Sequence, residues 1–177
     1  MQILDSGARR DFGTGAVRDI AEGKGRMDLM PLEAIGRCMG DDILINIGQY
    51  IYDGDTSKLW DAVVKFADTR FQDLNTAMLE LSIHFEEGCK KYGDRNWEKG
   101  IPIHCFIDSG ARHYFKFLRG DRDEPHDKAF LWNIVCAIWM QKNRPEMIDL
   151  PFGKIKNKKA GKRHKIGFKN IWFRKRR

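Results

Sequence analysis

The sequence contains no apolar run long enough to cross a membrane. A spanning helix needs about 18 apolar residues, and the longest candidate run, residues 134–140, is far shorter. The chain also opens without the basic-then-apolar pattern of a secretory signal. Its four cysteines form no CxxC pair, which argues against a zinc site built from them and favours buried free thiols. We therefore expect a cytoplasmic protein with no membrane partner.

Acidic residues are absent from the last part of the chain. Residues 154–177 contain twelve Lys or Arg and no Asp or Glu, which leaves 20 basic residues against 25 acidic ones in the rest. An acidic body therefore carries a basic tail, and the two parts need separate explanations. We divide the chain into an N-terminal arm (1–30), a helical domain (31–150) and a basic tail (151–177).

Alternating strand patterns are nearly absent, and apolar residues instead recur at helical spacing. The Gly-rich arm has neither period and is expected to be irregular. Pro31 fits the first turn of a helix or helix pair that runs to about Tyr52, and Thr56 is a candidate N-cap for the next helix. Three further helices are expected over residues 75–92, 105–118 and 125–141, with a loop over 93–102. The predicted fold is all-α, a bundle of about five helices.

Acidic residues gather in two places, and this pattern has two interpretations. Glu80, His84 and Glu87 share one stripe of a predicted helix, with Glu86 beside it. Residues 121–127 bring four acids and a histidine to the start of the last helix. Acids at a helix N-terminus are ordinary caps. Two such clusters facing each other across a bundle could also hold Mg²⁺ or Mn²⁺, which favour carboxylate oxygens.

Basic and aromatic residues near these acids suit a phosphorylated ligand. Lys91, Arg95, Arg112 and Lys116 could hold phosphates, although each could equally be a surface charge. Trp97 lies in the polar loop, where it could stack on a purine or pack against the bundle. In the arm, Lys24 and Arg26 accompany glycines that let backbone approach a ligand, so we expect the arm to close over the site.

Five blocks of the sequence resemble one family. Residues 87–100 (EGCKKYGDRNWEKG), 108–113 (DSGARH) and 120–133 (GDRDEPHDKAFLWN) are similar to its internal blocks. Residues 12–19 (FGTGAVRD) and 23–31 (GKGRMDLMP) are similar to its opening blocks. Five blocks in the right order make a specific signal. The chain thus resembles the phage-type dATP/dGTP diphosphohydrolases, which are related to the MazG-like all-α nucleotide pyrophosphohydrolases.

The resemblance implies a MazG-like bundle that cleaves a purine deoxynucleoside triphosphate, dGTP or dATP, into monophosphate and pyrophosphate with Mg²⁺ or Mn²⁺. It also implies a homo-oligomer, a dimer or tetramer in which helices of two subunits complete the site. MazG-like enzymes pair an ExxE with an ExxD motif. The second is present as Glu124 to Asp127, whereas the first is replaced by His84-x-x-Glu87.

These arguments give three groups of candidate residues. The candidate metal ligands are Glu87, Glu124, Asp127 and Asp123. The candidate catalytic residues are Glu86, as general base, with Glu87 and Glu124. The candidate substrate-binding residues are Lys24, Arg26, Lys91, Arg95, Asn96, Trp97, Arg112, His113, Lys116 and Asn133.

Two other functions remain open on the sequence. His126-Asp127 is an HD dipeptide, and His84, His104 and His113 could add ligands for an HD-type triphosphohydrolase. The second is a non-catalytic nucleic-acid-binding protein, because the tail interleaves Phe168, Trp172 and Phe173 with basic residues. The same tail could also make only weak nucleic-acid contact or be a solvated extension.

Overall fold

The computed structural model describes residues 7–153, which form a helical bundle preceded by a small β-hairpin. The elements in chain order are β1 (Arg9–Asp11), β2 (Val17–Asp19), α1 (Leu32–Met39), α2 (Asp42–Asp53), α3 (Thr56–Phe71), α4 (Leu74–Tyr92), α5 (Ile103–Arg119) and α6 (His126–Asn143). Short 3₁₀ turns lie at Met27–Leu29, Asn96–Lys99 and Pro145–Met147. The predicted all-α bundle is confirmed.

The helix boundaries follow local capping chemistry. Asp41, Asp55 and Asp73 cap α2, α3 and α4, each accepting backbone N–H bonds of the first turn. The prediction that Thr56 caps α3 is therefore wrong by one residue, because the Asp55 carboxylate accepts the backbone N–H of Ser57 instead. Gly120 ends α5 in the left-handed region, at φ 85°, as a glycine after a helix commonly does.

An aromatic cluster centred on Phe66 of α3 joins three helices. Its ring centroid lies 5.8 Å from Tyr114 and 5.1 Å from Phe117, both on α5, and 4.7 Å from Phe130 on α6. These contacts have the edge-to-face geometry that aromatic pairs prefer. The α5–α6 pair, joined by a short connection over 120–125, is thereby fixed against the rest of the bundle.

The N-terminal arm is more ordered than expected. Residues 9–19 form an antiparallel hairpin in which Arg10 lies opposite Arg18, and Ala16 beside it is fully buried. The two strands have three residues each, too few for a period-2 pattern to emerge from the sequence. Both arginines project from the same face, because directly opposed residues of a pair share a face.

No helix in residues 7–153 is long and apolar enough to span a membrane. The predicted basic tail lies outside the described residues, apart from 151–153 at its start.

Candidate active site

A cavity of about 250 Å³ opens where the hairpin meets α4, α5 and α6. Five cationic side chains line it, and we call it the cationic cavity: Arg10, Arg18, Lys24, Arg112 and Lys116. Its other polar walls include Asp19, His84, Asp108, His113, Glu124 and Asn133. Such a concentration of guanidinium and ammonium groups suits a polyanionic ligand.

Six of the predicted site residues meet in this cavity: Lys24, Arg112, His113, Lys116, Glu124 and Asn133. Two of the cations are already paired. Arg112 forms an ion pair with Asp108, and Lys116 Nζ lies 3.0 Å from Asp123 Oδ2. Asp108 also accepts the backbone N–H of Met27 at 2.8 Å, so it ties the arm to α5.

Two imidazoles and a carboxylate converge at one end of the cavity. His113 Nδ1 lies 2.9 Å from His126 Nδ1, and Glu124 Oε2 lies 3.9 Å from the first and 4.0 Å from the second. Three such donor atoms could hold a metal ion. Burial, with the neighbouring His126 next in importance, holds the pKa of His113 well below its ordinary value, so His113 offers a neutral nitrogen.

Asp123 fixes how His126 presents its ring. Asp123 Oδ1 lies 2.7 Å from His126 Nε2, an arrangement in which Nε2–H donates and Nδ1 keeps a free lone pair toward His113. The contacts with Lys116 and His126 hold the pKa of Asp123 well below its ordinary value. Asp121, Asp123 and His126 form a second group of potential ligands.

The other predicted metal ligands lie elsewhere. Asp127 Oδ2 forms an ion pair with Arg70 of α3 at 2.7 Å and belongs to neither ligand group. Glu87 is half-buried on α4 and lies outside the walls of the cationic cavity, whose α4 residues are His84, Gly88 and Tyr92. Glu86, predicted as the general base, is 64% exposed and forms an ion pair with Lys90.

A second cavity, of about 450 Å³, adjoins the first and holds three more predicted residues, Arg95, Asn96 and Trp97. Glu86 also lines it. Because Phe85, Tyr92, Trp97 and Trp132 form much of its wall, we call it the aromatic cavity. Trp97 packs against Phe85 and Trp139, with centroids 5.9 Å and 4.8 Å apart.

The remaining predicted residues have structural contacts. The Asn96 amide accepts the Val17 N–H at 3.0 Å and donates to the Val17 carbonyl at 2.8 Å, which pins β2. Lys91 Nζ lies 2.9 Å from Asp19 Oδ2, a residue of the cationic cavity. Arg26 makes two hydrogen bonds to the buried Asp28 and lies outside both cavity walls.

Arg10, Arg18 and Trp132 of the wall were not singled out from the sequence, and His84 was considered only as a possible ligand of an HD-type site. Arg18 and Trp132 lie inside family-like blocks, and His84 lies on the acidic stripe, so each had a signal. Arg10 had none, because only the hairpin register brings it beside Arg18. Burial lowers the pKa of His84 to about 4, with Lys128 contributing, so its imidazole is neutral at pH 7.

Three nitrogens among residues 7–153 are buried without a hydrogen-bond partner: Arg10 Nε, His84 Nδ1 and Arg112 Nε. All three belong to residues that line the cationic cavity. A buried polar atom without a partner costs about 1–3 kcal/mol, so its presence calls for an explanation. Their concentration in one cavity indicates that its polar groups serve a ligand.

Comparison with known families agrees with this geometry. Residues 64–150 match the family model described as dATP/dGTP diphosphohydrolase, N-terminal. This match, over just under half of the chain, supports the resemblance to the dATP/dGTP diphosphohydrolases that the sequence blocks carry. The family's name is that of a hydrolase. No curated protein and no solved structure matches the chain.

The matched segment supplies α4, α5, α6 and the second half of α3. It therefore carries Arg112, Lys116 and the group formed by His113, Glu124 and His126, which we call the imidazole cluster. It also carries the aromatic side chains that line the aromatic cavity. Arg10, Arg18 and Lys24 come from the arm, outside the match. Two separate parts of the chain thus build the cationic cavity.

Proposed function

We propose that this protein is a metal-dependent pyrophosphohydrolase that converts a purine deoxynucleoside triphosphate, dGTP or dATP, into monophosphate and pyrophosphate. In the cytoplasm of a phage-infected host it would shape the deoxynucleotide pool during replication. The observation that carries the proposal is the cationic cavity, where five cations lie beside His113, Glu124 and His126. These three residues belong to the segment that matches the diphosphohydrolase family model.

The cations divide into two kinds. Arg112 and Lys116 are neutralised in part by Asp108 and Asp123. Arg10, Arg18 and Lys24 form no ion pair with a carboxylate within residues 7–153. A triphosphate would supply anionic partners for these three cations and would bind them through charge-assisted hydrogen bonds. Their grouping on the arm supports a role in binding the phosphates.

The imidazole cluster fits a divalent cation. If His126 Nδ1 and His113 Nδ1 both present lone pairs, they repel each other at 2.9 Å unless a proton or a cation lies between them. Glu124, His113 and His126 would hold the ion, and Asp123 would orient His126. Two nitrogens and a carboxylate oxygen suit Mn²⁺ better than Mg²⁺, which prefers oxygen ligands. A bound ion polarises a phosphoryl group and lowers the pKa of a water.

We place the attacking water near His84. This neutral imidazole lines the cationic cavity and keeps an unpartnered Nδ1, which can accept a hydrogen bond from water. Glu86 lines the aromatic cavity instead, and Glu87 lies outside both walls. We therefore assign metal binding to the imidazole cluster and the positioning of the water to His84, and neither step to Glu86 or Glu87.

A homo-oligomer, a dimer or tetramer, remains part of the proposal. Leu79 and Ile83 lie one turn apart on α4 and are 71% and 46% exposed. Trp60 and Val64 repeat that spacing on α3, at 42% and 38% exposure. Exposed apolar stripes of this kind support contact with another copy of the chain.

The HD-type alternative is disfavoured by one contact. An HD site needs both members of the dipeptide at the metal, and Asp127 is turned toward Arg70. His104, a further HD candidate, bonds to Asp149 instead. The nucleic-acid alternative concerns the tail, which lies outside the described residues.

The metal proposal is tested by titrating Mn²⁺ into the protein and measuring dGTP hydrolysis in parallel. We expect His113→Gln to lose Mn²⁺ affinity and turnover, since it removes one of three ligands. His104→Gln, a histidine variant on the same helix but outside the cluster, should retain both. EDTA should stop hydrolysis by the wild-type protein and Mn²⁺ should restore it. Hydrolysis that resists EDTA, or unchanged Mn²⁺ affinity in His113→Gln, would refute the metal site.

A further inference from the structure

The cationic and aromatic cavities share a wall. Four residues line both of them: Arg18, Gly88, Tyr92 and Trp132. Two cavities with common lining residues lie side by side, so one ligand can extend from the first into the second. Their chemistry differs, because the first concentrates cations and the second concentrates aromatic rings.

The aromatic cavity fits a flat, uncharged ring. Phe85 and Trp132 have centroids 6.1 Å apart, and Trp97 continues the same group of rings. Ligand pockets commonly combine such apolar walls with a few polar groups, and aromatic side chains bind nucleobases by stacking. Glu98, 26% exposed, and Asp94 add carboxylates at the edge, where they can accept hydrogen bonds from a base.

Gly88 is the unexpected residue of the shared wall. It lies inside α4, where glycine costs about 1 kcal/mol relative to alanine. No close packing requires it, because a Cβ at this position would meet no heavy atom within 4 Å. Its φ is not in the positive range, unlike that of the turn glycines. Because Gly88 has no side chain, the space where the two cavities meet stays open.

Arg18 stands at the same boundary. Its guanidinium donates to the Cys105 carbonyl at 3.3 Å and to Asn133 Oδ1 at 2.9 Å, both neutral acceptors. It also lies over the ring of Trp132, 5.4 Å from the centroid. This fixed cation, without a carboxylate partner within residues 7–153, can bind an anion between the cavities.

We propose that the two cavities form one nucleotide site, with the base in the aromatic cavity and the β- and γ-phosphates in the cationic cavity. Arg18 binds the α-phosphate between them, and Gly88 keeps the passage open for the sugar. This inference rests on the proposed function, since it assigns the parts of the same substrate. It makes Gly88 and Arg18 positioning and binding residues that determine whether a complete nucleotide fits.

The test compares dGTP with inorganic tripolyphosphate, which has the phosphates but no base. Binding is measured without divalent metal for the wild-type protein and for Gly88→Gln, with Ser82→Gln as the control. Ser82 is exposed on the same helix, so the control adds a similar side chain away from the cavities. We expect Gly88→Gln to weaken dGTP binding at least roughly 10-fold, about 1.4 kcal/mol, and to leave tripolyphosphate binding within about 2-fold, a difference below about 0.4 kcal/mol.

Thermal unfolding distinguishes a side chain that blocks the passage between the cavities from one that destabilises the fold. Gly88→Ala should raise the midpoint, because alanine is the better helix former, while weakening dGTP binding less than glutamine does. The fluorescence of Trp97 should fall on addition of dGTP but not of tripolyphosphate, because Trp97 lines only the aromatic cavity, which the base alone enters.

Two results would overturn the inference while leaving the proposed function intact. One is dGTP binding by Gly88→Gln equal to that of the wild-type protein. The other is an equal loss of dGTP and tripolyphosphate binding, since the base would then have no separate site. A wild-type protein that neither binds nor hydrolyses any deoxynucleoside triphosphate would instead refute the proposed function, and this inference with it.

Discussion

The carboxylate of Glu124 is placed by the connection that precedes α6. Its Oε2 faces His113 Nδ1 and His126 Nδ1 at 3.9 Å and 4.0 Å, and its side chain is only 19% exposed. A carboxylate in this position can complete a three-atom ligand group. Because it lies beside two imidazoles, we expect its charge to contribute more to the proposed metal site than to packing.

We predict that Glu124→Gln lowers kcat by at least roughly 100-fold, the scale of losing a principal catalytic group. Glutamine keeps the shape, so the thermal midpoint should change little. Glu87→Gln is the matched variant, the same substitution at a carboxylate outside both cavity walls, and should stay within about threefold of wild type, below about 0.7 kcal/mol. Steady-state kinetics on dGTP with Mn²⁺ measures both. Comparable losses in the two variants would return Glu87 to the site.

Residue chemistry and motif order singled out Glu124, His113, Arg112 and Lys116, which line one cavity. Three of them lie on α5, whose helical period is clear, and Glu124 lies in the connection just before α6. Residue chemistry and motif order were not enough to predict the partner of Asp127, which depends on how α3 packs against α6. They also could not show that the Asn96 side-chain amide forms hydrogen bonds with the Val17 backbone. Such contacts join residues far apart in sequence, and only the packed structure determines them.

The hairpin is the element that brings arm cations to the cavity. Arg10 and Arg18 face the site from opposed positions of β1 and β2. The hairpin is held to the bundle by the two hydrogen bonds of Asn96 and by a bond from Thr14 Oγ1 to the Gly100 carbonyl at 2.6 Å. The loop before α5 therefore controls where the arm cations lie.

We predict that Asn96→Ala raises KM for dGTP more than it lowers kcat. The substitution removes two bonds to the Val17 backbone, worth about 0.5–1.5 kcal/mol each, and so loosens the strand that carries Arg18. Thr69→Ala serves as the control, because Thr69 makes an exposed intrahelical bond on α3. A KM for Asn96→Ala equal to that of the control would show that the hairpin is held in other ways.

The start of α5 is tied to the C-terminal end of the bundle by His104 and Asp149. Asp149 accepts both the backbone N–H and the imidazole of His104. These contacts, the Asp149 bond first and Cys105 second, raise the pKa of His104 to about 10. The ordinary pKa is 6.5, so this ion pair stabilises the fold fully below that pH. Its contribution is lost as the pH rises toward 10.

The pH dependence of unfolding tests this pair. We predict that Asp149→Asn lowers the free energy of unfolding at pH 6 and that the deficit shrinks by pH 9.5, because above pH 6.5 the wild-type protein must take up a proton on folding to form the charged pair. Glu146→Gln is the control, since its partner Arg144 keeps its charge throughout. Urea unfolding at both pH values gives the two deficits. A deficit for Asp149→Asn that stays constant would contradict a charged His104.

At the level of elements, the helices were predictable and the hairpin was not. Apolar residues at helical spacing and Gly93 or Gly120 at the ends located α4, α5 and α6 to within about two residues. The hairpin is stabilised by hydrogen bonds to Asn96 and Gly100, both of which are distant in sequence. Its three-residue strands have no periodicity of their own to detect.

Across the whole molecule, the basic residues are distributed unevenly. Outside the tail, acidic residues outnumber basic ones by 25 to 20, yet five cations line one cavity. Cations focused in a concave site attract a polyanion even when the surrounding surface is acidic. This contrast supports a small phosphorylated substrate for the body rather than a long nucleic acid.

The products released from dGTP test the central claim most directly. The purified protein is incubated with dGTP and Mn²⁺, and the products are resolved by anion-exchange chromatography beside a reaction of Glu124→Gln. We predict dGMP and pyrophosphate in equal amounts from the wild-type protein, and a rate at least roughly 100-fold lower from the variant. Release of deoxyguanosine and tripolyphosphate would contradict the account and favour an HD-type triphosphohydrolase instead.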